Sequence, residues 1–209
     1  MGNNYILESK YPQLCPQKIL FMKKLILTIV LVASTTLNYA QTKWNCDPVH
    51  SSINFSVGYL GISQVAGQFK KYEGTLESKS VDFLDSKFNF TVDVASINTE
   101  IEARDNHLKS ADFFDVENHK TITFTSTSFK KAGKNTFKLE GNMTMHGVTK
   151  KMNFVVTYGG EAKDHYGNER AGFTINGKLK RSDFQVNGAK GVVADEVAFN
   201  LNFNFIKSK

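Results

Sequence analysis

Arg104, Asp105 and His107 place a cation, a carboxylate and a titratable imidazole within four residues. Such a set could relay protons to a substrate, because histidine changes charge near neutral pH. Helical spacing argues otherwise: Arg104 shares a face with Leu108 while Asp105 and His107 diverge, which suits a structural ion pair better than a proton relay. The remaining histidines, His50, His119, His146 and His165, form no close pair with one another or with cysteine at ligand spacing, so no metal site is expected. The chain carries no nucleophile elbow, phosphate loop or dinucleotide fingerprint, and no catalytic residue is expected. Cys46 is the one cysteine after residue 40, so no intramolecular disulfide can form there. Set between Trp44 and Asp47 in a strand-like opening, it reads as a small buried apolar residue rather than a reactive thiol.

The charged triplet lies inside TEIEARDNHLKSADFF, residues 99–114, the one strong helical signal after residue 40. Thr99 and Glu102 have capping-box spacing, in which each side chain satisfies a backbone N–H at a helix start. Ile101 and Leu108 then fall on one side, Ser110 offers a second start, and Phe113 and Phe114 end the segment. One short helix with an aromatic end, set among strands, reads either as a lid or as an ordinary crossover.

Lys23 and Lys24 precede the apolar run Leu25–Val32 and a series of small and polar residues up to Ala40. That order reads as a Sec-type secretory signal from Met22, with cleavage expected near Ala40; residues 1–21 read either as sequence upstream of the true start or as an unusually long n-region. The apolar run is too short to span a bilayer comfortably. A periplasmic or secreted protein is expected. The full sequence carries a net charge of +6; Lys10, Lys18, Lys23 and Lys24 against Glu8 put +3 on the first forty residues, leaving +3 on residues 41–209. Basic and acidic residues are interspersed there, so nucleic-acid binding is not expected. The small excess permits a transient contact with an anionic membrane surface.

Residues 41–209 suit one domain, with no linker, repeat or low-complexity tract to divide them. Ile53, Phe55, Val57 and Tyr59 alternate with polar or small residues, as do Phe88 to Val94, Ile122 and Phe124, Phe137 to Met145, Met152 to Tyr158, Phe173 to Leu179, and Val197 to Phe205. In Val65–Leu76 the alternation changes phase at Lys70 and Lys71, the mark of a bulge that bends a strand around a barrel. Polar loops are expected at 159–170 and near Asn187 and Gly188. Eight such strands with one apolar face and a single helix to cover it close most economically on themselves. The expected fold is all-β: one eight-stranded antiparallel up-and-down barrel with a helical insert near residues 99–114, whose interior is either filled or holds one small ligand.

Arg104-Asp105-Asn106-His107-Leu108-Lys109-Ser110-Ala111-Asp112-Phe113-Phe114 resembles the central signature of the YceI-like, polyisoprenoid-binding family. Asp47 with His50 and Ser51, Gly67-Gln68-Phe69, Ser96 to Thr99, Phe124 to Thr127, Gly141 to Lys150, Arg170 to Phe173, and Arg181-Ser182-Asp183-Phe184 follow in the same order. The resemblance covers essentially all of residues 41–209 and implies a lipocalin-like barrel that holds an isoprenoid or fatty-acyl-type lipid. Tyr59 departs from it, standing where the family often has histidine.

The expected ligand contacts are Phe55, Val57, Tyr59, Phe69, Phe90 and Val92 from the first strands, and Leu108, Phe113 and Phe114 from the insert. Phe124, Phe154, Phe173, Ile175, Phe184, Phe199 and Leu201 complete the set. The function expected is carriage, storage or sequestration of an apolar long-chain ligand, without catalysis and with no cofactor beyond the lipid itself. Two alternatives remain: an enzyme acting on an apolar substrate through Arg104, Asp105 and His107, or a filled barrel that binds a partner. A dimer would need a surface that the sequence does not locate.

Overall fold

Alternating apolar and polar residues between Thr42 and Lys207 build an eleven-stranded antiparallel sheet in the computed structural model, which describes residues 41–208. The strands are β1 (Thr42–Cys46), β2 (Ser52–Tyr59), β3 (Ser63–Phe69), β4 (Tyr72–Ser78), β5 (Lys87–Asp93) and β6 (Ile97–Asn98). After helix α1 (Glu102–Lys109) come β7 (Thr121–Lys131), β8 (Thr136–Met145), β9 (Val148–Lys163), β10 (Glu169–Lys180) and β11 (Val193–Lys207). The expected signal segment and its cleavage point lie outside the described residues.

The eleven strands occupy eight positions in a closed ring, so the all-β barrel expected from the sequence is borne out. β1 and β2 lie end to end along one edge of β11: Trp44 to Cys46 pair with its last residues, and Ser52 to Val57 pair with Val197 to Asn202. β3 pairs with β2, and β4 pairs with β1 and β5, so β3 and β4 form one bent position. The bend falls at Lys70 and Lys71, where the alternation changes phase; their N–H groups donate to the Ser96 carbonyl (3.2 Å) and Ser96 Oγ (3.0 Å) instead of a ladder partner. From β5 the order runs through β7, β8, β9, β10 and β11, and β11 meets β1 to close the ring. Closure leaves the main barrel positions without a free edge.

Two features of the sequence reading need correction. Thr99 does not cap the helix: Ile101 holds the N-cap position without a side-chain hydrogen bond. Thr99 donates instead through its N–H (2.8 Å) and hydroxyl (2.5 Å) to Asp105 Oδ1, so the carboxylate that reaches back comes from Asp105 rather than Glu102. The expected loop at 159–170 is also shorter, because β9 continues to Lys163 and β10 starts at Glu169. Gly160, with φ 108°, takes up an irregularity opposite Gly172 that lets the hairpin extend, and glycine tolerates that backbone without strain.

One end of the barrel is solid. Phe83, from the β4–β5 loop, is fully buried against Trp44, Tyr158 and Phe173, with ring centroids 5.4–5.5 Å apart. Phe88, Phe129, Phe137 and Phe205 fill the space around it. Each aromatic pair adds about 0.5–1.5 kcal/mol beyond its area. That gain holds Phe83 at φ 59°, a left-handed conformation that a bulky residue adopts only when its surroundings fix it.

Candidate functional site

The other half of the barrel is hollow. A cavity of about 200 Å³ begins where the aromatic plug stops. Phe90, Leu139, Phe154, Ile175 and Phe203 line the cavity, while the inward residues two positions away on the same strands, Phe88, Phe137, Val156, Phe173 and Phe205, do not. Phe90 and Phe203 stack at 4.3 Å with a 26° tilt and form the floor.

Four phenylalanines on this wall lie over glycines of a neighbouring strand. Phe55 covers Gly67, Phe90 covers Gly74, Phe124 covers Gly141 and Phe199 covers Gly177; a Cβ at any of these glycines would overlap the ring. Three of the pairs are direct register partners, Phe55 with Gly67, Phe90 with Gly74 and Phe199 with Gly177. With no side chain beneath them, the rings lie against the wall rather than across the barrel. This arrangement leaves a phenylalanine-rich interior open.

The mouth is covered by segment 99–119 and by the β10–β11 connection. Leu108, Phe113 and Phe114 reach the cavity, with Phe113 buried and Phe114 edge-on to Phe69 at 6.1 Å. Two anchors hold them. Arg104 donates through Nε to Thr99 Oγ1 (2.7 Å) and through Nη2 to the Thr99 carbonyl (2.6 Å), while Asp105 accepts from the same residue. Gly188 then packs so closely on Phe113 that a Cβ would lie 2.6 Å from Phe113 Cε2 and 2.5 Å from the Asp112 carbonyl. Arg181, the one charged residue on the cavity wall among the described residues, donates to the carbonyls of Val186, Gly188, Val193 and Ala194 at 2.7–3.0 Å. Burial draws its pKa below the ordinary arginine value, and the carbonyl cage compensates its charge.

The sequence-predicted residues fall into two groups. Phe55, Val57, Phe69, Phe90, Val92 and Leu108 line the cavity, as do Phe113, Phe114, Phe124, Phe154, Ile175, Phe199 and Leu201. Tyr59, Phe173 and Phe184 do not. Tyr59 ends β2 at the rim, 40% exposed; Phe173 is part of the plug; Phe184 is buried in the packing behind the β10–β11 connection. Alternation says which face a residue takes but not how far along the barrel it sits, and that distance is what separates Phe173 from Ile175. Met143, Met145, Ile53, Ile122 and Leu179 also line the cavity, and their places in the alternating strands could have identified them. Val186, in the non-alternating β10–β11 connection, and Val193, at the very start of β11, left no such signal.

Arg104, Asp105 and His107 do not line the cavity. Arg104 and Asp105 are spent on Thr99, and exposed His107 meets Asp112 at 3.1 Å. Among the described residues, Asp115, His119 and His146 are the group with metal-binding proximity.

The YceI-like domain family matches residues 44–205, the whole ring from β1 to β11. The chain belongs to the YceI-like family. A relative from Ectopseudomonas mendocina (strain ymp), called a UPF0312 protein, is 36% identical over 158 residues, covering 76% of this chain and 83% of that one. Among solved structures, Burkholderia cenocepacia BcnA superposes with a TM-score of 0.69 at 22% identity, covering 76% of this chain and 98% of that one. A polyisoprenoid binding domain from Saccharophagus degradans superposes with a TM-score of 0.62 at 13% identity, covering 79% and 98%. At these identities the two structures establish the shared barrel. Within residues 104–114, Arg104 and Asp105 fasten the insert through Thr99, and Leu108, Phe113 and Phe114 reach the cavity.

Proposed function

We propose that this YceI-like protein holds one apolar long-chain molecule, an isoprenoid or fatty-acyl-type lipid, in the hollow half of its barrel. It carries, stores or sequesters that lipid in the periplasm or outside the cell, and it performs no catalysis on it. The carrying observation is the cavity wall, which draws its polar residues only from Asn54, Thr123 and Arg181. A wall of this kind stays dry unless an apolar group fills it. The polyisoprenoid binding domain with the same fold supports the choice of lipid class.

Size constrains the ligand. A cavity of about 200 Å³ takes on the order of ten methylene-sized groups, and burying each gains ~0.8 kcal/mol, or roughly 8 kcal/mol gross before the cost of association. Ligand sites are commonly about 300–1,000 Å³. A full isoprenoid tail therefore needs segment 99–119 to move outward, or part of the chain to remain in the mouth. The flexible Met143 and Met145 side chains can adjust to such a tail. Leu60 and Ile62, 53% and 84% exposed on the β2–β3 turn, offer the contact through which lipid passes between barrel and membrane surface.

Organic extraction of purified protein followed by mass spectrometry tests the reading. A prenyl or fatty-acyl lipid recovered near one equivalent is the expected result. Failure to recover lipid, combined with no uptake of added prenyl lipid, would falsify it.

A further inference from the structure

We propose that Asp115, His119 and His146 bind a divalent first-row transition ion of the zinc, nickel or copper kind, independently of any lipid. One ligand atom from each lies within 4.8 Å of the others. Tetrahedral ligands around zinc stand about 3.3 Å apart, given metal–nitrogen bonds near 2.0–2.1 Å. Small side-chain rotations close the difference.

Two local structures bring these residues together. Asp115, at φ 46°, donates its N–H to the Ser110 carbonyl (2.9 Å), and its own carbonyl accepts from the His119 N–H (2.8 Å). That single turn directs Asp115 and His119 toward a common point. His146 and Gly147 form the tight β8–β9 turn, both at positive φ, 49° and 74°, as a type I′ hairpin requires. Gly147 lets the His119 ring approach, since a Cβ there would lie 2.9 Å from His119 Cε1. The two imidazoles stand with centroids 4.5 Å apart.

An independent observation points to a ligand. His146 Nδ1 is buried and has no hydrogen-bond partner among the described residues, a condition proteins avoid. Coordination to a metal would satisfy that nitrogen. Asp115 Oδ2 accepts from Asn118 Nδ2 (2.8 Å), the kind of contact that orients a metal-ligating carboxylate. Two imidazoles with one carboxylate match borderline-soft transition ions and not calcium or magnesium, which require mainly oxygen. The cluster has no sequence signature because its third ligand comes from a hairpin that only the folded barrel brings near.

The position gives the ion a structural role. Asp115 follows Phe114, and His146 follows Met145, both on the cavity wall. A bound ion would tie the lid segment to the barrel rim.

Titration of chelator-treated, dialysed full-length protein with Zn²⁺ in a calorimeter tests this without lipid. One equivalent should bind saturably, and His119→Gln and His146→Asn should each weaken binding at least tenfold. Asn suits the left-handed turn position, so the second variant keeps the hairpin. Zn²⁺ should raise the thermal midpoint of the parent and leave both variants unmoved. His165→Gln, in the β9–β10 loop, should bind like the parent. Absence of saturable binding up to millimolar Zn²⁺, or equal binding by the correctly folded double variant, would overturn the proposal.

Discussion

Arg170 Nη1 donates to Asp47 Oδ2 across 2.7 Å, joining residues 123 positions apart in the chain. The same nitrogen reaches Asn204 Oδ1 (2.9 Å), and Arg170 Nε reaches Asp164 Oδ2 (2.8 Å). His50 Nδ1 lies 2.7 Å from Asp47, whose other oxygen accepts from the Val49 N–H. One guanidinium thus fastens the β1–β2 turn, the β9–β10 loop and β11 at the plugged end.

Replacing Arg170 by alanine leaves two poorly solvated carboxylates without their cation. The expected loss is about 2 kcal/mol of folding stability, below the range for a fully buried pair because this network keeps some water contact. Urea unfolding of Arg170→Ala measures it. Lipid uptake should persist, because the network sits beyond the plug.

The same network sets the acid sensitivity. Burial pushes the Asp47 carboxyl up, but hydrogen bonds from Arg170 and His50 outweigh it, and the net pKa lies below the ordinary value; Arg170 holds Asp164 well below the carboxylate range. Depressed folded pKa values contribute stability that is complete above the unfolded carboxylate pKa of about 3.9 and is lost as pH falls further. The thermal midpoint should therefore drop progressively below about pH 4. In Asp164→Asn the same scan should be flatter, and an unchanged slope would remove Asp164 from the explanation.

Gly177→Ala should reduce lipid capacity. Its methyl group forces the Phe199 ring off the wall and into the cavity, at a stability cost of about 1–3 kcal/mol. Mass spectrometry of lipid bound by the variant should show shorter chains or lower occupancy. Parent-like occupancy would show that the Phe–Gly pairs do not set the cavity's width.

Phe114→Ala should accelerate lipid release severalfold. Phe114 is half-buried at the mouth, so truncation loosens the lid while the more buried Phe113 keeps its place under Gly188. Release of a fluorescent prenyl or fatty-acyl probe measures the rate, and an unaltered rate would return segment 99–119 to the role of a crossover.

Cys46 should resist thiol reagents in the native protein. Burial, reinforced by nearby Asp47, raises its pKa against the opposing hydrogen bond to Ser51, which disfavours the reactive thiolate. Peptide mapping after alkylation at pH 8 should find Cys46 unmodified until denaturant is added.

The sequence reveals the barrel because alternation is a local signal: from Val197 to Phe205 every second residue is apolar, and β11 follows that pattern around the ring. The bend at Lys70 and Lys71 is legible for the same reason. Depth along the barrel is not local. Phe83 plugs the barrel from a short polar loop, so the run Ser78–Ser86 gives no hint that its phenylalanine enters the core. Phe173 and Ile175 are alike in pattern, and only the reach of Phe83 decides which of them meets the cavity. The Phe–Gly pairs depend on cross-strand register, which a single strand does not carry. Asp105 replaces Glu102 as the partner of Thr99 because an intervening kink, with Glu100 at φ 65°, carries Thr99 past the ordinary capping distance.

Phe83 and the rings around it also decide the route of any cargo. With that end shut, the barrel is a blind vessel with one doorway, so a tail must leave by backing out along the path it entered. Threading from a donor on one side to an acceptor on the other is excluded by this architecture. In the proposed carrier role, a donor and an acceptor would instead take turns at the same face, each waiting for the other to depart.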